Sequence, residues 1–262
     1  MALEVDCVAV SPLAAAGGVW ACTFGGALAG MLLGAALPAH HLNEASKSTV
    51  NVGIALIATM TALILGLVTA SAKSTFDASD QDVRRISAEV LSLDRILARY
   101  GPETAPVRKA LHDALAARVE RVWPPSGDAV ADFDPVQGGA ELEQLVAALH
   151  GLTPKTDDQR WLQGRAEETA ESLLASRWLA FGDTHGSVPH ALLVIVVFWL
   201  SITFVSFGMF APPNGTVLTI LFLCALSVAA AVFLILELEQ PLTGLIRISP
   251  EPLRYAIAHL AQ

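Results

Sequence analysis

Charge is scarce in this sequence, and where it is missing says more than how little there is. Only 16% of the 262 residues are Asp, Glu, Lys or Arg, against about a quarter in soluble domains. Residues 7–43, 48–72 and 184–236 contain none at all. Such stretches argue against an ordinary cytosolic enzyme. Basic residues are the scarcer sign: 16 Lys and Arg against 25 Asp and Glu leave a net charge of −9. Phosphate binding needs a basic face and none stands out, so nucleic acid is not an expected partner. Cysteine is limited to three residues. Cys22 and Cys224 fall in apolar stretches, where the thiol acts as a small hydrophobe, and Cys7 stands alone. No disulfide framework or zinc pair can be read. The chain opens with Glu4 and Asp6 and no early Lys or Arg. A secretory signal wants a positive start, so the first apolar segment is expected to stay in the protein.

What is present is hydrophobic: 53% of residues are apolar. A helix needs about 20 such residues to cross a hydrocarbon core of roughly 30 Å. Leu13–Leu37, ending before Pro38, supplies one span and Val50–Ala72 a second. The run from Val188 to Leu238 is long enough for two, and Pro212-Pro213-Asn214-Gly215 divides it into spans near 189–211 and 216–238. The expected fold is all-α. A transmembrane pair in 1–73 precedes a helical insert in 74–187, a second pair in 188–240 and a tail in 241–262. Of the 16 basic residues, 13 lie between Lys73 and Arg177 and two more, Arg247 and Arg254, in the tail, leaving Lys47 alone on the other side. The positive-inside bias then puts both termini and the insert in the cytoplasm.

Two spans carry patterned small residues. Gly26, Gly30 and Gly34 lie along one ridge of the first helix and remove the side chains that hold backbones apart. This is a candidate close contact within or between subunits, although glycine is also common in membrane helices. The second span has a small or weakly polar face of Ala55, Thr59, Ala62, Gly66, Thr69 and Lys73. A pore wall has this character, and so does a tightly packed interior helix. Its opposite face, with Ile57, Ile64 and Val68, is expected to meet lipid. Glu237 and Glu239 close the fourth span. Being two apart, they point to opposite sides of a helix and cannot form one chelating pair. They also sit at the negative end of the helix dipole. Two readings stay open: carboxylates reaching interfacial water or paired with Lys73 or Arg247, or a charged ring at a pore mouth.

No Pro or Gly occurs from Leu67 to Tyr100, so the second span is expected to run on as one long helix. Val83, Ile86, Val90, Leu93, Leu97 and Tyr100 alternate in steps of three and four, the seam of a coiled coil or bundle. Gly101-Pro102 ends it. Further helices fit 106–122, 140–150 and 157–181, with 124–139 as a loop. Arg84-Arg85, Arg108-Lys109, Asp157-Asp158 and Glu167-Glu168 are read as solvated helix faces, and Trp161 and Trp178 as packing or interface residues. Catalytic patterns are missing. The clustered glycines lie in a span rather than in a phosphate loop, and no serine sits in a nucleophile elbow. His40, His41 and Glu44 are a weak metal-ligand set without a second shell. His185 and His190 do not share a helix face. No metal, cofactor or enzymatic activity is expected.

Several segments carry a resemblance. His40-His41-Leu42, Ala70-Ser71-Ala72-Lys73-Ser74, Leu93-Asp94-Arg95 and Tyr100-Gly101-Pro102-Glu103-Thr104 resemble the bestrophin-like domain family of bacterial membrane proteins. So do Phe204-Val205-Ser206-Phe207-Gly208 with Ala211-Pro212 and Asn214, Leu221 through Leu238, and Gly244-Leu245-Ile246-Arg247-Ile248-Ser249. Glu239 stands where the pattern has Asp, and Leu242 where it has Phe. The resemblance implies a bacterial inner-membrane protein distantly similar to bestrophins, which are oligomeric anion channels with four membrane helices per subunit and a helical cytosolic part. No segment matches their neck motif, so no pore residue carries over. The reading that follows is a homo-oligomer in the lipid bilayer, conducting an inorganic ion past the second span. The alternative is a non-conducting scaffold or sensor whose helical insert recruits a partner.

Overall fold

The computed structural model of the chain describes residues 11–37, 44–124, 137–182, 190–242 and 244–260. Among these all the regular structure is helical, with no strand. It divides into two compact units, residues 1–74 with 187–239 and residues 75–186 with 240–262. Helix α2 (Glu44–Tyr100) contributes its first part to one unit and its remainder to the other. Its 57 residues contain no proline, as the sequence requires of an unbroken helix.

The first unit holds α1 (Pro12–Ala36), the start of α2, α6 (His190–Phe210) and α7 (Gly215–Leu238). Among the described residues these are the four helices long and apolar enough to cross a membrane. Their ends have local causes. Ser11 Oγ accepts from the Ala14 N–H at 3.3 Å and Pro12 takes the first turn, where its missing donor costs nothing. Asn214 Oδ1 accepts from the Val217 N–H at 2.9 Å, so the predicted Pro-Pro-Asn-Gly break both stops α6 and caps α7.

Helix α1 buries Ala16, Val19, Thr23, Ala27 and Gly30, a stripe at three- and four-residue steps. Gly26, Gly30 and Gly34 lie along it, and side chains there would meet the backbone of Ser201, Val205 and Met209 in turn. The contact is reciprocal, because a Cβ on Gly208 would strike the carbonyl of Ala27. Backbone therefore lies on backbone, the geometry that small residues allow between membrane helices. Residue numbers rise together along both partners, so α1 and α6 run parallel. Their amino ends thus share one end of the unit. Trp20, Phe24 and Phe222, each pair with centroids 5.5 Å apart, close the α1–α7 side.

The second unit continues α2 and adds α3 (Ala105–Val122), α4 (Gln137–His150), α5 (Asp157–Gly182) and α8 (Glu251–His259). The predicted seam is its core: Val90, Leu93 and Leu97 pack with Val107 and Leu111 of α3, Leu149 of α4 and Ala170 of α5. Leu93, Leu97 and Leu149 are fully enclosed. Helix α4 starts at Gln137, three residues before the expected position. Gly138 and Gly139 fall in its first turn, where N–H groups lack helical partners anyway and glycine disturbs least. Thr156 Oγ1 caps α5 by accepting from the Gln159 N–H at 3.1 Å. Helix α8 has no counterpart in the sequence reading. It buries Leu253 and Ala256, Ser87 donates to the Pro252 carbonyl, and Trp123 Nε1 donates to the Ile248 carbonyl at 3.0 Å.

Candidate functional site

In the first unit, α2 turns one face inward and leaves the rest of its surface open. Ile54, Thr61, Val68 and Ala72 are at most 8% exposed. Ala55, Thr59, Ala62, Gly66 and Lys73 are exposed and Thr69 is half-buried. A Cβ added at Gly66 meets nothing within 4 Å. The small stripe is thus not packed against the chain's own helices. Its hydroxyls are satisfied along the helix: Thr59 donates to the Ala55 carbonyl at 2.8 Å and Thr69 to the Leu65 carbonyl at 2.7 Å. What the face offers outward is hydroxyl oxygen and bare backbone between small side chains. Beside it runs a second exposed stripe of large apolar residues, Val52, Leu56, Leu63 and Leu67, each at least 60% exposed. This corrects the expectation that the Ile57, Ile64 and Val68 side meets lipid. Val68 is 2% exposed, Ile57 and Ile64 are half-buried, and the large apolar residues that face outward flank the small stripe instead.

Helix α7 ends at Leu238. Glu237 is 4% exposed and Glu239 half-buried, so in the single chain the first carboxylate is covered and the second is the more open. Lys73, Glu237 and Glu239 are each engaged by other groups.

In the second unit the charged residues converge on the α2–α3 corner. Arg108 Nε and Nη2 donate to Asp94 Oδ1 and Oδ2 at 2.7 and 2.8 Å. Their side chains are 17% and 6% exposed, which corrects the reading of Arg108 as a solvated residue. The bond to Asp94 raises the Arg108 pKa above its ordinary value. Gly101 turns the chain at φ 136°, a conformation that side chains resist. Thr104 Oγ1 donates to the Leu97 and Gly101 carbonyls at 2.6 and 2.8 Å, and Gln159 Nε2 caps the Tyr100 carbonyl at 3.0 Å. Glu103 is held below the ordinary glutamate value by its own backbone N–H and then by Lys155, 3.3 Å away. By contrast Arg84–Asp80, Arg160–Asp157 and Arg165–Glu168 are local pairs along exposed helix surface, while Glu89, 19% exposed, accepts both from Arg85 and from Ser172 of α5 at 3.1 Å. Hydrogen bonding to Glu89 raises the Arg85 pKa. Trp161 is 65% exposed, while Trp123, which the sequence reading did not single out, anchors the tail.

No group of three or more metal-ligating side chains occurs among the described residues. His40, His41, His185, Cys7 and the 125–136 part of the predicted loop lie outside the described residues, as do the side chains of Glu44, Trp178 and His190. Cys22 and Cys224 are both free and exposed on their helices.

Much of the motif set seen in the sequence has a structural use. Asp94, Gly101 and Thr104 build the corner, Gly208 makes the α1 crossing, and Ile248 receives Trp123. A family model described as Bestrophin-like domain matches residues 21–253. No curated protein and no solved structure matches the chain.

Proposed function

The chain belongs to the bestrophin-like domain family, and from that premise we propose that it is a non-enzymatic homo-oligomer of the bacterial inner membrane that conducts an inorganic ion along α2. One observation carries the reading. The stripe of Ala55, Thr59, Ala62 and Gly66 is exposed on the single chain, with open space at Gly66. Lipid is best met by large apolar side chains, and α2 provides those on the adjacent stripe. A small, hydroxyl-bearing face is suited to neighbouring copies of α2 around a wet axis. Lys73 lies on the same face one turn beyond Thr69, and Glu239, the more open of the two carboxylates, closes α7. The parallel run of α1 and α6 supports placing the insert on the side of the residues that precede α1, and the lopsided Lys and Arg distribution supports calling that side cytoplasmic. The test is mass in detergent together with ion flux from vesicles containing the purified protein. A homo-oligomer with flux above that of empty vesicles is expected. A monomer, or an oligomer silent at every voltage, pH and calcium level, overturns conduction.

A non-conducting scaffold is the second reading. Trp161 favours it, since 65% exposure of an indole on a helical insert is costly without a partner to cover it. Retention of a cytoplasmic protein by the wild type but not by Trp161→Ala, with no flux from either, would establish it.

A further inference from the structure

An open cleft of about 230 Å³ lies within the first unit, between the first turns of the apolar part of α2 and the turn that joins α6 to α7. Phe207, Phe210, Ile220 and Leu221 make its apolar wall, and Asn51 and Ser206 are its polar groups. Neighbouring hydroxyls on α6 are spent locally: Ser201 donates to the Val197 carbonyl at 2.8 Å and Thr203 to the Trp199 carbonyl at 3.0 Å. Ser206 is different. It is 9% exposed, and neither its hydroxyl nor the Asn51 amide forms a hydrogen bond to a described residue. Asn51 is exposed at the mouth of the cleft and the Ser206 hydroxyl opens onto it, so in the water-poor setting of a membrane both donors are placed to meet an acceptor that enters.

Three observations define that acceptor. The cleft lies at the ends of the spans: Asn51 is the fourth residue of the charge-free 48–72 stretch, and Ala211 on its rim leads directly into Pro212-Pro213-Asn214. In a membrane this is the depth at which hydrocarbon gives way to ester and headgroup. None of the lining residues carries a formal charge, and the nearest cation along α2, Lys47, lies one turn before Asn51 on the headgroup side, so the group held inside the cleft is neutral and any ionic headgroup lies outside it. The volume is below the roughly 300 Å³ where drug-sized sites begin, which fits part of a chain rather than a whole solute. We propose that the cleft binds one membrane lipid, with an acyl segment against Phe207, Phe210 and Leu221 and an ester carbonyl accepting from Asn51 and Ser206. The site depends on membrane insertion and not on conduction.

Native mass spectrometry of the protein, released from vesicles of phosphatidylethanolamine and phosphatidylglycerol, tests this. The wild type is expected to keep one phospholipid per protomer through delipidation. Asn51→Leu removes a donor and Val217→Trp fills the cleft, and each is expected to lower retention several-fold. Leu223→Trp, on the exposed outer surface of α7, is expected to leave it unchanged. Vesicles of diether lipid, which lack the ester carbonyl, are expected to give the low value with the wild type too. Equal retention in all samples overturns the proposal. So does an oligomer that Val217→Trp breaks while the wild type carries no lipid, which would make a second copy the occupant. If Val217→Trp fails to assemble, Asn51→Leu and the diether vesicles decide.

Discussion

Arg108 grips Asp94 with two nitrogens of its guanidinium, at 2.7 and 2.8 Å, fourteen residues away across the α2–α3 corner. The pair is two-point and largely shielded from water, unlike the exposed ion pairs elsewhere in the second unit, which contribute roughly 0–1 kcal/mol each. Breaking a buried pair by removing one partner strands the other, at a cost of about 3–5 kcal/mol when both are fully enclosed. Arg108 keeps 17% exposure, so Asp94→Ala is expected to cost somewhat less, about 2–4 kcal/mol. Chemical denaturation of the full-length protein in detergent checks this. Arg84→Ala, which breaks an exposed pair with Asp80, should leave the midpoint nearly unchanged.

Glu103 makes the same corner sensitive to acid. Its carboxyl is held below the ordinary value by its own backbone N–H and by Lys155. A carboxyl whose folded pKa lies below its unfolded value, about 4.3 for Glu, adds stability that is complete above that value. The contribution is lost as pH falls through the lower, folded value. The wild type should therefore lose more melting temperature than Glu103→Gln as pH drops from neutral to well below the ordinary range. Parallel profiles would show that Glu103 contributes nothing.

Gly30 and Gly66 provide a matched comparison in the first unit. A Cβ at Gly30 lands on the Val205 carbonyl, whereas one at Gly66 meets open space. Gly30→Ala is expected to force α1 and α6 apart at a cost of about 1–3 kcal/mol, typical of overpacking, and Gly66→Ala to leave the fold intact. Thermal unfolding in detergent separates them. Equal melting temperatures would mean that the α1–α6 crossing is not as close as described.

Topology is checked in a background lacking Cys7, Cys22 and Cys224. A membrane-impermeant maleimide should label Ser48→Cys on intact cells and Asp113→Cys only after permeabilisation. The reverse pattern would invert the orientation read from the Lys and Arg distribution.

The long α2 was legible because no Pro or Gly interrupts residues 67–100, and its seam in the second unit because burial there follows polarity. Inside the apolar stretch polarity no longer separates inside from outside. Ile64 and Leu63 are equally apolar, yet Ile64 is half-buried and Leu63 is 71% exposed. In lipid, side-chain size and shape decide which face packs, and that depends on the partner helix. Helix α8 was hidden for another reason. Nine residues with a two-residue buried face give too weak a period to read, and its partners Ser87 and Trp123 lie more than a hundred residues away. The corner built from Asp94 and Arg108 was half legible: Asp94 and the turn at 100–104 stood out by resemblance, but Arg108 read as a solvated residue, and its pairing depends on the turn at Gly101 that brings α3 back along α2.

If copies of α2 line a pore, Gly66 lies on its wall, and a benzyl group there should block it. Gly66→Phe is expected to abolish most of the flux while the oligomer keeps its mass in detergent. The comparison must carry the same added bulk on a surface that also faces away from the chain. Ile64 fails that requirement, because it is half-buried on the packed side of α2. Leu67 meets it: it is 69% exposed and belongs to the large apolar stripe suited to lipid, so Leu67→Phe should conduct as the wild type does. Block at both positions would point to disturbed assembly, which the mass would reveal. Flux that survives Gly66→Phe in an intact oligomer would leave the protein a channel and move its pore away from α2. Loss at Gly66 alone would place the path on the small-residue face, where the hydroxyl oxygens of Thr59 and Thr69 offer the polar contacts that a wet wall requires.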